Sequence, residues 1–156
     1  MRLKDIAGEV CKILLPIKYE VFYGKGREIA VCTLASIDLL LAISRSDLMD
    51  RIALAARLFS ENKGIDKIIE YSHNNPELKY IILSGKDVKG HLAGDALLAL
   101  KKYGVDDNNR IINAKGKEPI LSIDKGIIDE FRYRVEIINL IGVTDITKIR
   151  NVINTL

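Results

Sequence analysis

Apolar positions along the 156-residue chain follow two rhythms, and the elements can be read from where one gives way to the other. Leu3–Leu15 places Ile6, Val10, Ile13 and Leu14 on one side of a helix that Pro16 stops. Tyr19–Tyr23, reading YEVFY, predicts a short strand, and Gly24–Arg27 a turn. Glu28–Ala35 is continuously apolar after its first residue, the pattern of a strand buried on both faces. Asp47–Ser60 predicts a helix, with Leu48, Ile52, Ala55 and Leu58 at helical spacing. Ser60–Gly64 is a loop leading into a helix over Ile65–His73, and Pro76 marks that helix's end.

Leu78–Ser84, LKYIILS, is the second buried strand, and Gly85–Gly90 a polar loop. His91–Tyr103 predicts a helix with Leu92, Ala96, Ala99, Leu100 and Tyr103 on one face. Lys101 and Lys102 suit its C-terminal dipole and Gly104 its cap. Ile111–Ile112 suggests a short strand. Asp124 caps a long predicted helix with the stripe Ile127, Ile128, Phe131, Val135 and Ile138, ended by Gly142. Thr144 or Asp145 caps a last helix bearing Ile146, Ile149, Ile153 and Leu156.

Buried strands alternating with amphipathic helices predict an α/β fold: a mainly parallel sheet with helices on both faces, in a single domain. Ligands in such folds bind at the carboxyl ends of the strands. Those ends are Leu34–Ser36, Ser84–His91 and the loop after Ile112.

Composition narrows the function classes. With 48% hydrophobic and 29% charged residues the chain is globular, and at this length it can bury roughly 70% of its unfolded surface without disulfide or metal. The longest stretch free of Asp, Glu, Lys and Arg is Ile29–Ile37, far short of the about twenty apolar residues of a membrane span. Met1–Glu9 has no apolar signal core, so the chain is expected to be cytoplasmic. A net charge of +3 argues against a nucleic-acid partner. Two cysteines, Cys11 and Cys32, and two histidines have no zinc-site spacing.

Few motifs carry chemistry. Gly24–Gly26, GKG, precedes a strand where a dinucleotide fingerprint requires a helix. Asn113–Lys117, NAKGK, reads either as a polar turn or as a backbone anion nest. No Gly-x-Ser-x-Gly elbow occurs, and His73 in SHNNP caps or faces solvent. His91 is different. It stands at a predicted helix start after a buried strand and the loop SGKDVKG, where the helix dipole favours a neutral, ligating imidazole. Asp87, four residues earlier, is a candidate to hold the other ring nitrogen, and Gly94 would let something bulky approach. The other reading is that His91 only satisfies loop carbonyls. One histidine cannot hold a bare ion, but it can complete a macrocycle that already supplies four donors.

These residues resemble a known family. Ser60–Gly64 (SENKG), Tyr80–Gly94 (YIILSGKDVKGHLAG) and Asn113–Gly116 (NAKG) are similar to the corrinoid-binding domain found in the A subunit of tetrahydromethanopterin S-methyltransferase. Thr33–Ser36 (TLAS) and Val135–Asp145 (VEIINLIGVTD) also match, and the resemblance runs from Leu15 to the end. It implies a Rossmann-like fold, with residues 1–156 forming a single domain that carries cobalamin or another cobamide in a methanogenesis-type, archaeal methyltransferase. His91 matches the lower axial ligand of cobalt. The implied cofactor-binding set is His91, Asp87, Gly90, Gly94, Ser84, Gly85, Ser36, Glu61, Asn62, Gly64, Asn113, Ala114 and Gly116.

In that family cobalt takes a methyl group from methyl-tetrahydromethanopterin and yields it to the coenzyme M thiolate; the histidine's binding and release is thought to be coupled to sodium movement. The expected partners are therefore methyl-donor and methyl-acceptor proteins, and self-association is left open. With neither a pterin site nor a thiol-activating metal site visible, the chain is not expected to be a complete enzyme alone.

Three departures stand out. The family's C-terminal transmembrane helix is not seen in this sequence, so a soluble homologue is expected. Arg57–Phe59 stands where the family has Gly-Pro. Lys89 stands where the commoner cobalamin motif has Asp, and no Gly-Gly occurs. The rival readings are a cofactor-free interaction or regulatory domain and a small phosphate or nucleotide binder using Asn113–Lys117.

Overall fold

The computed structural model describes residues 21–156. The helix expected over Leu3–Leu15, and the first residues of the strand expected over Tyr19–Tyr23, lie outside the described residues. Strands β1 (Val21–Tyr23), β2 (Ile29–Cys32), β3 (Leu54–Ala56), β4 (Tyr80–Gly85) and β5 (Glu136–Ile141) form one sheet in the order β1-β3-β2-β4-β5. β1 is antiparallel to β3, and every other pairing is parallel. The α/β fold with a mainly parallel sheet is therefore as the sequence predicts.

Helices α1 (Ile37–Ser44) and α5 (Ile146–Thr155) cover one face; α2 (Lys63–Asn74), α3 (Ala93–Tyr103) and α4 (Lys125–Arg134) cover the other. The period-2 geometry of strands divides the core. Ala30, Cys32, Ile81 and Leu83 point to the α2–α4 layer, where they meet Ile65, Ile69, Leu97 and Phe131. Ile29, Val31, Ala55 and Ile82 point to α1 and α5, against Leu40, Ile43, Ile149 and Ile153. Each large aliphatic side chain buried this way contributes about 1.5–3 kcal/mol of hydrophobic free energy. Burial in the first layer pushes the Cys32 thiol up to about 12, so it behaves as a small hydrophobe.

Two segments depart from their local pattern. The helix expected over Asp47–Ser60 is instead a single 3-10 turn, Asp47–Asp50, followed by β3. The Ser46 hydroxyl accepts from the Leu48 N–H at 3.2 Å and starts that turn. Leu54–Ala56 has good helix formers, but it lies between β1 and β2 and satisfies its backbone on both sides. The turn Gly24–Arg27 packs directly on this element. The N–H groups of Gly24 and Gly26 donate to the carbonyls of Ala53 (2.9 Å) and Ile52 (3.0 Å), and a Cβ on either glycine would run into backbone. GKG is thus a packing device. Helix α1 is an element that the sequence pattern does not reveal.

The second departure is the long helix expected after Asp124. The Asp124 cap is present, its carboxylate accepting from the Gly126 N–H at 2.8 Å. The helix stops at Arg134, Val135 turns extended, and Glu136–Ile141 pairs with β4. Tertiary contacts finish the helix: the Lys101 ammonium donates to the carbonyls of Arg132 and Val135, and the Arg134 guanidinium to those of Pro76 and Leu78. β-branched Val135, Ile137, Ile138 and Ile141 then suit a strand. Asp145, not Thr144, caps α5, accepting from the Thr147 N–H at 2.9 Å. Ile111 takes part in an isolated bridge to Val105, not in a strand of the sheet.

No helix among the described residues is long and apolar enough to cross a membrane. The chain passes from β2 outward to β3, then returns to the far side of β2 as β4. The carboxyl ends of β2 and β4 are therefore the switch point of the sheet.

Candidate functional site

Two regions stand at that carboxyl edge. One is the crevice between β2 and β4. Its backbone is laced together: the Ala35 N–H donates to the Lys86 carbonyl, and the Lys86 N–H to the Ser36 hydroxyl, both at 2.9 Å. The fully buried Ser84 hydroxyl donates to the Cys32 carbonyl at 2.8 Å. Gly85 has φ +78°, and a Cβ there would fall on the Thr33 carbonyl. Beside this seam, towards α1 and α5, lies an open groove of about 560 Å³ bordered by Ser36, Asp38, Lys86 and Thr144. Ser84, Gly85 and Ser36, expected at a ligand, thus engage one another's strands.

The other region is a ledge around His91. The loop Lys86–Leu92 crosses from β4 to α3, and His91 sits between two residues with left-handed backbone, Gly90 (φ 84°) and Leu92 (φ 46°). A left-handed conformation is free for glycine and costly for leucine. Asp87 supports it. One carboxylate oxygen accepts from the N–H groups of Val88 (2.8 Å) and Gly94 (2.9 Å), and the other from Asp95 (3.0 Å). Leu92, at the cap position of α3, has no side-chain acceptor, so Asp87 provides the cap from within the loop.

This corrects the role expected for Asp87. The partner of the His91 ring is Glu61, whose Oε2 lies 3.1 Å from Nδ1. The His91 side chain is 58% exposed and the Glu61 side chain only 3%. The second Glu61 oxygen accepts from the Glu118 N–H at 3.1 Å. Burial works against ionisation of Glu61. Hydrogen bonds from its own backbone and that of Glu118, with His91 alongside, outweigh it and hold the carboxyl below the ordinary range. Among the described residues Nε2 of His91 has no protein partner.

Three loops meet here. Asn62 caps α2 through the Lys63 N–H and donates its amide to the Glu118 carbonyl at 3.1 Å. Gly64 leaves room for Leu58, and its N–H donates to the Ser60 hydroxyl oxygen at 2.7 Å. Gly116 is buried against the His91 carbonyl and the Glu61 side chain, where a Cβ would not fit. Asn113 has φ 64°, Ala114 packs on the core, and the Lys115 N–H donates to Asp95 at 3.0 Å. The structure thus brings together His91, Glu61, Asn62 and Gly116. Gly94 does not open a path: a Cβ added there would come within 3.1 Å of the Leu34, Ile141 and Asp87 side chains. Glu61 was singled out only through its loop's resemblance, and nothing local in the sequence links it to a histidine thirty positions away. Lys86 and Thr144, at the groove, were missed.

His73 lies elsewhere, at the C-terminal end of α2, with Nδ1 3.0 Å from Glu130 on α4. No group of three or more His, Cys, Asp or Glu side chains suited to a bare metal ion occurs among the described residues.

A family model for MtrA, the A subunit of tetrahydromethanopterin S-methyltransferase, matches residues 18–156. The chain is 31% identical over 140 residues to a protein of Methanosarcina acetivorans described as the A subunit of a methyltransferase Mtx; the match covers 88% of this chain and 67% of that one. It is 38% identical over 103 residues to the tetrahydromethanopterin S-methyltransferase A subunit of Methanocaldococcus jannaschii, covering 65% and 43%. With the A subunit numbered 1 of Methanothermobacter marburgensis the identity is 40% over 101 residues, covering 63% and 42%. The matched region spans from about two fifths to two thirds of these relatives.

Proposed function

The chain belongs to the MtrA family of tetrahydromethanopterin S-methyltransferase, and from that membership we propose that it is a cobamide-binding methyl carrier whose cobalt takes its lower axial ligand from Nε2 of His91. The observation that carries the reading is an exposed histidine, held at one ring nitrogen by a buried carboxylate and open at the other, on the ligand-bearing edge of a parallel sheet. The donor set fits: a corrin ring supplies four equatorial nitrogens, so one protein nitrogen is enough.

Bound cobamide would supply a cobalt centre that accepts and yields a methyl group. This chain's own residues do the rest. His91 presents a lone pair from an open ledge, and Asp87 holds the turn that carries it. The loops Ser60–Gly64 and Asn113–Gly116 reach His91 through Glu61 and Gly116, and would meet the polar rim of a bound ring. The ledge around His91 is exposed, so a methyl-donor and a methyl-acceptor protein, which would supply the pterin and thiol chemistry, could reach a cofactor held there. The rival phosphate reading through Asn113–Lys117 loses support, because within that segment the N–H of Ala114 is engaged by the Ile111 carbonyl and that of Lys115 by Asp95.

The test is the absorbance of the anaerobically purified protein mixed with hydroxocobalamin. We expect a spectral shift on binding that His91→Ala changes, together with axial nitrogen coupling in the paramagnetic Co(II) form that His91→Ala abolishes. Identical spectra in both proteins, with no nitrogen coupling in the wild type, overturn the assignment.

A further inference from the structure

The structure assigns Glu61 as the positioning residue of His91: its buried carboxylate fixes the ring in the tautomer whose lone pair is on the outward nitrogen. The inference rests on the reading of His91 as a ligand but concerns the apo protein first.

The chemistry follows from counting donors and acceptors. An ionised carboxylate only accepts hydrogen bonds. Both Glu61 oxygens are engaged, Oε1 by the Glu118 N–H and Oε2 by Nδ1 of His91. The Nδ1 contact therefore requires the proton on Nδ1, and in the neutral ring the lone pair is left on Nε2. A free imidazole side chain in water favours the opposite tautomer, so the protein reverses an intrinsic preference.

It does so with a rigid device. The Glu61 side chain is 3% exposed, so little water competes for its oxygens. Asn62 ties the same loop to the Glu118 carbonyl, and Gly116 closes over Glu61 and the His91 backbone without space for a Cβ. The ring is thus oriented from the loop before α2 and the segment after α3, while its own loop is set by Asp87. This is the arrangement in which a carboxylate behind a ligating histidine fixes its orientation and raises its basicity.

Glu61→Gln separates position from tautomer. The carboxamide keeps the shape but has one acceptor oxygen for two N–H donors. With the oxygen on Glu118, its NH₂ faces Nδ1 and favours the proton on Nε2, which blocks the ligating nitrogen. The primary measurement is the pair of ring ¹⁵N chemical shifts of His91 in the cofactor-free protein at alkaline pH. We expect a protonated Nδ1 and a bare Nε2 in the wild type, with the population moving to protonated Nε2 in Glu61→Gln. A wild-type ring protonated on Nε2, or ring shifts in a folded Glu61→Gln protein that match the wild type, overturn the inference. Glu61→Asp provides a second variant: its shorter carboxylate can still only accept, so the wild-type tautomer should persist, and a shift to protonated Nε2 there would also count against the assignment.

Hydroxocobalamin gives the second arm. Glu61→Gln should weaken axial nitrogen ligation by about 10- to 100-fold, the usual effect of losing such a partner. Wild-type protein that shows the expected tautomer but never ligates cobalt would refute the cobamide reading and leave the Glu61 assignment standing.

Discussion

The crevice between β2 and β4 and the ledge around His91 occupy the same edge of the same sheet, yet they use their polar groups in opposite ways. In the crevice Ser84 bonds Cys32, Ser36 bonds Lys86 and Gly85 lies on the Thr33 carbonyl, so each polar or special residue closes a gap between neighbouring strands. On the ledge Asp87 and Glu61 are saturated in the same sense, but their saturation leaves one exposed nitrogen unused. The contrast teaches that position at the carboxyl end of a strand does not by itself leave a residue's polar atoms free. What distinguishes His91 is that its supports are buried and complete while its own outer atom is not engaged.

The largest effect should come from striking the crevice. Gly85→Ala places a side chain at φ +78° and onto the Thr33 carbonyl, where two central strands meet. A loss of about 2–4 kcal/mol is expected in urea unfolding. An unchanged midpoint would show that the seam yields without cost, and would remove the distinction between a rigid crevice and a built ledge.

A smaller and more local effect is expected from Asp87→Ala, which removes acceptors from the Val88 N–H in the loop and from the Gly94 and Asp95 N–H groups at the start of α3. The expected cost is about 1–2 kcal/mol, the range for losing a helix cap. Amide exchange should accelerate at Val88, Gly94 and Asp95 while Ala35 and Lys86 keep their protection. Uniform acceleration would mean that the two regions are one cooperative unit.

The smallest effect concerns the face away from His91. The Asp47 carboxylate accepts from the Arg150 guanidinium at 2.7 Å, joining the 3-10 turn to α5. That hydrogen bond holds the Asp47 carboxyl below its ordinary value. A depressed folded-state value means that the contribution is present above the ordinary carboxylate range and is lost as pH falls through the folded value. Wild type and Asp47→Asn should therefore differ slightly at neutral pH and converge in acid. Salt should shrink the difference, because both side chains are exposed. The His91 ring signals should not move, and a change there would couple the two faces.

Much of this molecule is legible along the chain. IAVC is apolar throughout, and YIILSG is apolar until its last two residues; no surface element could sustain that, so β2 and β4 had to be central strands. The periodicities of α2, α3 and α5 and the Asp124 and Asp145 caps are equally local signals. They place a strand, a loop and a helix start in succession, and thereby put His91 at the carboxyl edge of the sheet. Tertiary structure decided the rest. Leu54–Ala56 has helical spacing and helix-forming alanines, but two neighbouring strands offer its backbone more hydrogen bonds than a helix turn would. Val135–Ile141 continues an apolar stripe, but Lys101 and Arg134 terminate the helix through contacts with elements far away in sequence. Asp87 is near His91 in the chain and serves the backbone, whereas Glu61 is thirty residues away and serves the ring. Local patterns follow from forces between near neighbours along the chain. Strand pairing, helix termination and the partner of a side chain depend on which groups the fold brings into contact, and that is settled only when the layers pack.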